Sequence, residues 1–228
     1  MDLYDVPLHP SSSVIQSETG SYSRDMAKGL GPELVLARPG GLLDLYTSSP
    51  ETGALKLLSS TRLFSNIRSI SNFRSQGSKR DQVVVGTDSG SVAVIAFGGK
   101  EESYRAKTVQ CEIFGKTGVR RPVPGQYVAS DPKGRAIMIS AIEKQKLVYV
   151  MNRDSNNNTT ISSPLSAHKS STITFDCVGV DVGFDNPVFA ALELSYENPS
   201  SATKNITYYE LDLGLNHVTR RWTEEVSL

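Results

Sequence analysis

Cysteine, histidine and tryptophan are scarce in this sequence, which contains two, three and one of them among 228 residues. Cys111 and Cys177 lie far apart, which excludes a disulfide scaffold and a cysteine-based zinc site and favours a reducing compartment. His9, His168 and His217 form no pair with the spacing of metal ligands. We therefore expect loop positions for the histidines, and neither a metal nor another cofactor.

An excess of charge of one sign is also missing, because 24 lysine and arginine residues balance 24 aspartate and glutamate residues. This balance argues against a protein that binds nucleic acid mainly through a broad basic surface. No apolar run approaches the roughly 18 residues that a membrane span requires. The first residues, Met1–Asp5, carry acids where a signal peptide has bases. We therefore expect a soluble intracellular chain with no membrane contact.

Short apolar runs that flank tight turns recur along the chain, whereas amphipathic helical patterns are rare. From these runs we predict four β-hairpins, near residues 34–46, 83–97, 127–142 and 178–194. Counted from residues 34, 83, 128 and 178, the hairpins are 49, 45 and 50 residues apart, and repeats of this length are typical of β-propeller blades. Further strands are predicted between the hairpins, at Ile67–Phe73, Leu147–Met151 and Ile206–Leu211.

The predicted fold class is all-β, a propeller of four-stranded blades with about four to five blades present. Consecutive apolar residues at Ile137–Ile139 and Leu147–Val150 indicate strands that are covered on both faces. A β-sandwich, which is the main alternative, would show strict alternation of apolar and polar residues. Residues 212–228 do not resemble a closing blade, so we expect residues 1–228 to form an open, partial propeller.

The segment Phe114–Gly125 combines three glycines and two prolines with three cations. Its Gly115-Lys116-Thr117 resembles part of a phosphate-binding loop, but the required earlier glycine is replaced by Gln110, and Pro122 prevents the helix that should follow. A rigid basic loop suits an acidic partner or a phosphate backbone. A solvated connection between two blades explains the same residues equally well.

A second charged segment, Glu143–Lys146, forms a short turn between two strongly apolar strands. A solvated hairpin tip explains it, although a tip held between buried strands can also present contacts to a partner. From the two charged segments and a nearby arginine we predict six partner-binding residues: Lys116, Arg120, Arg121, Glu143, Lys144 and Arg153.

Four aspartates lie near predicted turns: Asp88, Asp131, Asp181 and Asp185. Propeller glycosidases use paired carboxylates, so a cluster near the central channel is one interpretation. Aspartate is also favoured in turns, where its side chain accepts hydrogen bonds from nearby backbone N–H groups. We favour the turn interpretation and predict no catalytic residue.

Several long stretches of the chain match a known pattern: Val84–Gly90, Phe114–Lys116, Gly125–Tyr149, Ile161–Leu165, Gly179–Phe184 and Tyr209–Val218. They resemble the N-terminal propeller of the splicing factor 3b subunit 3 family, and the resemblance runs from near Leu3 to about Trp222. This group of triple-propeller scaffolds also includes the large subunits of the cleavage-polyadenylation and damaged-DNA-binding factors. The chain departs from the pattern mainly in residues 1–31, 98–107 and 199–205.

The resemblance implies a nuclear, non-enzymatic scaffold of the particle that recognises the intron branch site, acting in pre-mRNA splicing by docking partner proteins. The partners would be the other splicing factor 3b subunits, namely the helical-repeat large subunit and small subunits. RNA would be contacted mostly indirectly, and no small-molecule substrate is expected. The resemblance also implies a seven-bladed first propeller, of which this chain would be a part.

Two other function classes stay open. The basic loop could bind nucleic acid directly, as in a nucleic-acid-binding propeller subunit of the related polyadenylation or DNA-damage-recognition complexes. Such binding would depend steeply on salt, because it releases counterions from the phosphate backbone. A propeller hydrolase is the third class, and it would require converging carboxylates in the channel.

Overall fold

The computed structural model describes residues 12–23, 31–49, 51–99, 104–113, 126–155, 158–180, 183–198 and 200–226. Every regular element in these ranges is a β-strand. The strands form four antiparallel sheets in chain order, and consecutive strands pair within each sheet. The all-β prediction is therefore confirmed. The same ranges contain no helix that is long and apolar enough to cross a membrane.

Each sheet is a meander of four strands, and the third sheet carries one additional short strand. The first sheet contains β1 (Gln16–Gly20), β2 (Glu33–Arg38), β3 (Leu42–Ser48) and β4 (Leu55–Arg62). The second contains β5 (Ile67–Phe73), β6 (Gln82–Thr87), β7 (Ser91–Gly98) and β8 (Arg105–Ile113). The third contains β9 (Tyr127–Ser130), β10 (Ala136–Ser140), β11 (Lys146–Arg153), β12 (Thr159–Ile161) and β13 (Leu165–Ser166). The fourth contains β14 (Thr172–Val180), β15 (Val188–Ser195), β16 (Thr203–Asp212) and β17 (His217–Glu225).

The sheets are arranged radially around a common centre. Their first strands, β1, β5, β9 and β14, contact one another in that order. A cavity of about 540 Å³ runs along these four strands and is lined by residues from each of them. Meander sheets that place their first strands around a central channel are the blades of a β-propeller. The described residues therefore form four blades, within the predicted range of four to five.

Three apolar cores fill the spaces between successive sheets, and neighbouring residues on one strand enter different cores. On β10, Ile137 and Ile139 pack toward the second sheet, whereas Met138 packs toward the fourth. All three side chains are buried. This arrangement confirms that the continuous apolar runs belong to strands that are covered on both faces, because a strand directs successive side chains to opposite sides.

The four predicted hairpins all form, but they are not equivalent positions of the repeat. The first two join the second and third strands of their sheets, as β2–β3 and β6–β7. The last two join the first and second strands, as β9–β10 and β14–β15. The sheets begin at Gln16, Ile67, Tyr127 and Thr172, so the true repeat varies from 45 to 60 residues. The nearly constant spacing of the four predicted hairpins therefore does not equal the blade repeat, because the hairpins join different pairs of strands within the blades.

Two glycines allow the third sheet to approach its neighbours closely. A Cβ atom at Gly134 would lie 1.7 Å from the carbonyl oxygen of Arg74, and one at Gly179 would lie 2.0 Å from that of Ser130. Gly134 also has a φ of 69°, in the left-handed region that favours glycine. A larger residue at either position would force the sheets apart.

The sheets at the two ends of the arc expose apolar side chains on their outward faces. Leu55 and Leu57 of β4 are exposed on the first sheet, as are Val178 and Leu192 on the fourth. On the fourth sheet, Trp222 is 43% exposed, and it packs against Phe184 and Tyr208 with ring centroids 5.9 and 5.8 Å away. These outward faces have the character of surfaces that normally pack against another element.

Candidate partner-docking surfaces

The connections between strands form two opposite faces of the arc. The upper face contains the connections at residues 39–41, 63–66, 88–90, 141–145 and 167–171, and the lower face contains those at 74–81, 131–135, 154–155, 183–187 and 213–216. Hydrogen bonds join adjacent connections within each face. Examples are the N–H of Asp88 to the carbonyl of Asn66 (3.0 Å) on the upper face and that of Asp81 to Ser21 (2.8 Å) on the lower face.

Three of the six predicted partner-binding residues, Lys116, Arg120 and Arg121, lie outside the described residues. The described residues on either side of them, Ile113 and Gln126, lie at the upper face, because β8 ends and β9 begins there. The predicted role of the three cations stays a prediction.

The Glu143–Lys146 turn belongs to the upper face and is docked on the fourth sheet. Glu143 forms an isolated β-bridge with Ile173, and its carboxylate accepts a hydrogen bond from the Tyr196 hydroxyl. This hydrogen bond, with a smaller contribution from burial, raises the pKa of Tyr196. The N–H of Lys144 donates to the carbonyl of Thr172 at 3.1 Å, and Lys144 adopts a φ of 60°. The side chains of Glu143 and Lys144 stay exposed on this anchored turn.

The interpretation of the whole Glu143–Lys146 turn as a solvated hairpin tip is wrong for Lys146, because the side chain of this residue is entirely buried. Its ammonium group lies 2.7 Å from the carboxylate of Glu193 on β15, and Tyr209 on β16 donates a hydrogen bond of 2.8 Å to the same oxygen. Burial alone would raise the pKa of Glu193, but the charge and hydrogen bond of Lys146, with smaller contributions from the hydroxyls of Thr207 and Tyr209, together lower it. The group is an ionic link between the third and fourth sheets.

The sequence contains one signal that Lys146 is buried. Lys146 is in phase with Val148 on β11, and both point to the fourth sheet. Period-two alternation therefore assigns the lysine to a buried face. The charge of Lys146, considered alone, indicated an exposed position instead.

Arg153, the remaining predicted residue, lies at the lower face and thus far from Glu143 and Lys144. β11 runs from Lys146 at the upper face to Arg153 at the lower face, a separation of about 23 Å for an extended strand. The Arg153 Nε donates a hydrogen bond of 3.0 Å to the Ser75 hydroxyl in the second sheet. The three described residues of the predicted set therefore cannot contribute to one compact site.

Arginine–aspartate pairs organise the lower face. Arg135 binds the buried Asp131 with two nitrogens, at 2.8 and 2.9 Å, and donates a third hydrogen bond to the carbonyl of Asp185. Arg74 binds Asp81 in the same bidentate way, and the Asp81 carboxylate also accepts a hydrogen bond from the N–H of Ser21. Bidentate pairs of this kind fix the geometry of both partners.

The predicted turn role is confirmed for Asp131, whereas Asp88 accepts its hydrogen bonds from the preceding connection instead of its own turn. Asp88 accepts hydrogen bonds from Ser65 and Asn66; the Ser65 bond is the main cause of its lowered pKa, which burial opposes and the Asn66 bond supports. Asp131 accepts from the backbone of Arg135 at 3.0 Å. Asp88 lies on the upper face whereas Asp131 and Asp185 lie on the lower face, so they do not converge in a channel site. Asp181 lies outside the described residues.

Two of the three histidines lie among the described residues, and of these His168 is in a connection, as expected, whereas His217 belongs to a strand. His168 accepts a hydrogen bond of 3.1 Å from the backbone N–H of Lys146, and His217 is exposed at the start of β17. His9 lies outside the described residues. Within the part of the chain that the structure describes, no three histidine, cysteine, aspartate or glutamate residues are placed to hold a metal ion.

The sequence of the chain is similar to those of proteins named as splicing factors or spliceosome-associated proteins. The chain is 48% identical to Spliceosome-associated protein 130 A of Arabidopsis thaliana, over 99% of the chain and 19% of that protein. It is 46% identical to Splicing factor 3B subunit 3 of Drosophila melanogaster, over 98% of the chain and 18% of that protein. It is also 46% identical to Pre-mRNA-splicing factor RSE1 of Mycosarcoma maydis, over 99% of the chain and 19% of that protein. The chain thus spans about a fifth of the length of the curated relatives that it matches.

The family assignment rests on both the fold and the sequence. Four radial meander sheets form the described part of the chain. The sequence model of the family described as "RSE1/DDB1/CPSF1 first beta-propeller" matches residues 26–228. The chain therefore belongs to the RSE1/DDB1/CPSF1 first β-propeller family, which confirms the resemblance seen in its sequence.

Proposed function

We propose that this chain acts in pre-mRNA splicing as a non-enzymatic, nuclear scaffold that docks other subunits of a splicing factor 3b-type complex. The main support for this proposal is sequence identity. Over nearly its whole length the chain is 46–48% identical to relatives that are named as splicing factors or spliceosome-associated proteins. The proposed partners are the helical-repeat large subunit and small subunits of that complex. We also propose that residues 1–228 form one part of a larger N-terminal propeller.

The scaffold role agrees with the physical character of the described residues. A propeller holds its loops on a rigid frame, so its connections present fixed side chains to a partner without a cost for ordering them. Glu143 and Lys144 lie on a turn that is anchored by main-chain bonds to the neighbouring sheet. We propose that these two residues bind partners at the upper face and that Arg153 binds at the lower face. Lys116, Arg120 and Arg121, which lie outside the described residues, are proposed to bind partners as well.

The proposal is tested with the tagged chain in nuclear extract, by measuring how much of the helical-repeat subunit and small 3b subunits copurifies at about 150 mM salt, where surface charges still act over about 8 Å. The variant Arg120→Glu/Arg121→Glu should recover less of these subunits than the unsubstituted chain. Lys56→Glu/Arg62→Glu, at two exposed cations of β4, is the matched double charge reversal outside the predicted set, and it should recover as much as the unsubstituted chain.

The possible results separate the function from the residue assignment. If the unsubstituted chain recovers no 3b subunit, the proposed function is wrong for this chain. If the unsubstituted chain and the double variant recover the subunits equally, the assignment of Arg120 and Arg121 is wrong and the scaffold role stands. Recovery of RNA that persists after the proteins are removed would favour direct nucleic-acid binding instead.

A further inference from the structure

The sheets use their two faces in a fixed order along the chain. On β6 of the second sheet, Val83 and Val85 pack toward the first sheet, whereas Val84 packs toward the third. On β15 of the fourth sheet, Phe189 and Ala191 pack toward the third sheet. A sheet therefore has a rear face, which packs on the sheet before it, and a front face, which packs on the sheet after it.

The first and fourth sheets each have one face that no other described sheet covers. Val35 of β2 packs toward the second sheet, so its neighbours Leu34 and Leu36 lie on the rear face of the first sheet. Ala191 of β15 packs toward the third sheet, so its neighbour Leu192 lies on the front face of the fourth sheet. The two open faces are therefore of opposite kinds, one rear and one front.

Both open faces carry rows of apolar side chains. On the rear face of the first sheet, one row crosses three strands and contains Leu34, Tyr46 and Leu57. On the front face of the fourth sheet, one row crosses all four strands and contains Val178, Ala190, Tyr208 and Trp222. Apolar rows of this kind fill the cores between the other sheets, so each open face has the character of a contact between blades.

Charged side chains on the strands of the two open faces do not oppose a contact between them. The rear face of the first sheet carries Arg38 and Arg62 against Asp44. The front face of the fourth sheet carries more carboxylates than cations, namely Asp176, Glu210, Asp212 and Glu224 against Lys204 and Arg221. The net charges of these strand residues have opposite signs, so the two faces do not repel each other.

We propose that the front face of the fourth sheet docks on the rear face of the first sheet in a second copy of this chain. Each copy has one face of each kind, so two copies make the contact twice and close into a ring of eight blades. The contact joins a front face to a rear face, as the successive sheets within one copy do. The proposal goes beyond the proposed function, in which further blades of a larger propeller would take the place of the second copy.

The open faces are large enough for a stable contact. Four strands about 4.8 Å apart and six residues of about 3.4 Å each give a face of about 400 Å². The two contacts of the ring together cover four such faces, or about 1,600 Å², which is typical of a stable protein–protein interface. Eight blades also lie within the range that propellers adopt.

Sedimentation velocity of the purified 228-residue chain, measured across a concentration series, tests the proposal. The limiting mass should be twice the 24.8 kDa of one copy, with no larger species. Two double variants each block one face. Leu55→Glu/Leu57→Glu places charge on the rear face of the first sheet, and Val178→Glu/Leu192→Glu places it on the front face of the fourth. Each variant alone should be monomeric, because both contacts of the ring require both faces.

A mixture of the two double variants identifies which faces meet. One variant retains its front face and the other retains its rear face, so one contact can still form between them. With one variant labelled by a fluorophore, the mixture should show a heterodimer. Its Kd should be about 100-fold or more above that of the unsubstituted dimer, because the second contact no longer strengthens the first.

Phe64→Glu/Ile142→Glu is the matched control, because both residues are exposed apolar side chains in upper-face connections, outside the two open faces. It should leave the Kd of the dimer within about twofold of the original value. Thermal melts of each variant distinguish a lost contact from a lost fold, and the heterodimer itself requires two folded copies.

Four results would each overturn the proposal. The unsubstituted chain could remain monomeric, or it could grow beyond a dimer into open assemblies. Leu55→Glu/Leu57→Glu could remain dimeric, which would show that two front faces pair with each other. The mixture of the two double variants could form no heterodimer. Because the assay contains no 3b subunit, its failure leaves the proposed function standing.

Discussion

The ammonium group of Lys146 lies 2.7 Å from the carboxylate of Glu193, and neither side chain is exposed to solvent. Lys146 begins β11 of the third sheet, and Glu193 lies in β15 of the fourth. Two buried charges are stable only when each compensates the other, since each has lost its hydration. The pair therefore links the upper ends of two blades, directly beneath the anchored turn that carries Glu143 and Lys144.

Removing one charge of this pair should destabilise the chain strongly. Glu193→Gln leaves the Lys146 ammonium buried without a counter-charge, and we expect the free energy of unfolding to fall by about 3–5 kcal/mol. Urea unfolding followed by circular dichroism measures this change. The double variant Lys146→Met/Glu193→Leu removes both buried charges of the pair. It leaves only Lys169, whose side chain is 12% exposed and whose ammonium lies 3.6 Å from the other Glu193 oxygen, without this partner, so it should be considerably more stable than Glu193→Gln. Equal stability of the single and double variants would show that the pair is not an ionic link.

The same pair should make stability depend on pH in the acid range. The pKa of Glu193 is lowered in the folded chain relative to its ordinary value of 4.5, so the unfolded chain binds the proton more readily. The stabilisation is therefore complete above about pH 4.5 and is lost as the pH falls from there through the folded pKa. Melting temperatures measured between pH 3 and 7 should show a steeper acid decline for the unsubstituted chain than for Glu193→Gln. Parallel curves would contradict the assignment.

Gly134 and Gly40 offer a matched test of close packing between sheets. Both glycines have positive φ values in hairpin turns, 69° and 76°, so alanine introduces comparable backbone strain at either position. A Cβ at Gly40 meets no atom within 4 Å, whereas one at Gly134 would overlap the carbonyl oxygen of Arg74. Gly40→Ala should cost about 1 kcal/mol of stability, and Gly134→Ala should cost clearly more. Similar losses in thermal melts would show that the third sheet can shift without penalty.

The outward face of the fourth sheet should promote self-association of the chain. Val178 and Leu192 are 58% and 42% exposed there, on the same face of the sheet as Trp222. Val178→Thr/Leu192→Thr retains residues that favour strands and removes apolar surface, so aggregation should decrease with little change in melting temperature. Light scattering across a concentration series measures the effect. Val188→Thr, a substitution at a fully buried position, should instead lower stability by about 1–3 kcal/mol. Unchanged scattering by the double variant would assign the association to another surface.

The fold class and the strands could be predicted from local patterns, because a strand that is buried on both faces contains consecutive apolar residues. Ile67–Phe73 was predicted with the bounds that β5 has, and the run at Ile137–Ile139 correctly indicated a doubly covered strand. The blade boundaries did not follow in the same way. Two apolar runs around a turn look the same in a sequence whether the hairpin joins the first and second strands of a blade or the second and third. The spacing between hairpins was therefore measured between positions that are not equivalent in the blades.

By itself, the sequence determined that this chain is a β-propeller of the RSE1/DDB1/CPSF1 type, because apolar runs, turn residues and family motifs are local features. Tertiary structure alone decided which charged residues share a surface. Lys146 and Arg153 are both cations on β11, yet one is buried against Glu193 and the other lies at the lower face beside Ser75. The difference depends on what the neighbouring sheets place opposite each strand end, and that juxtaposition arises only when the blades pack together.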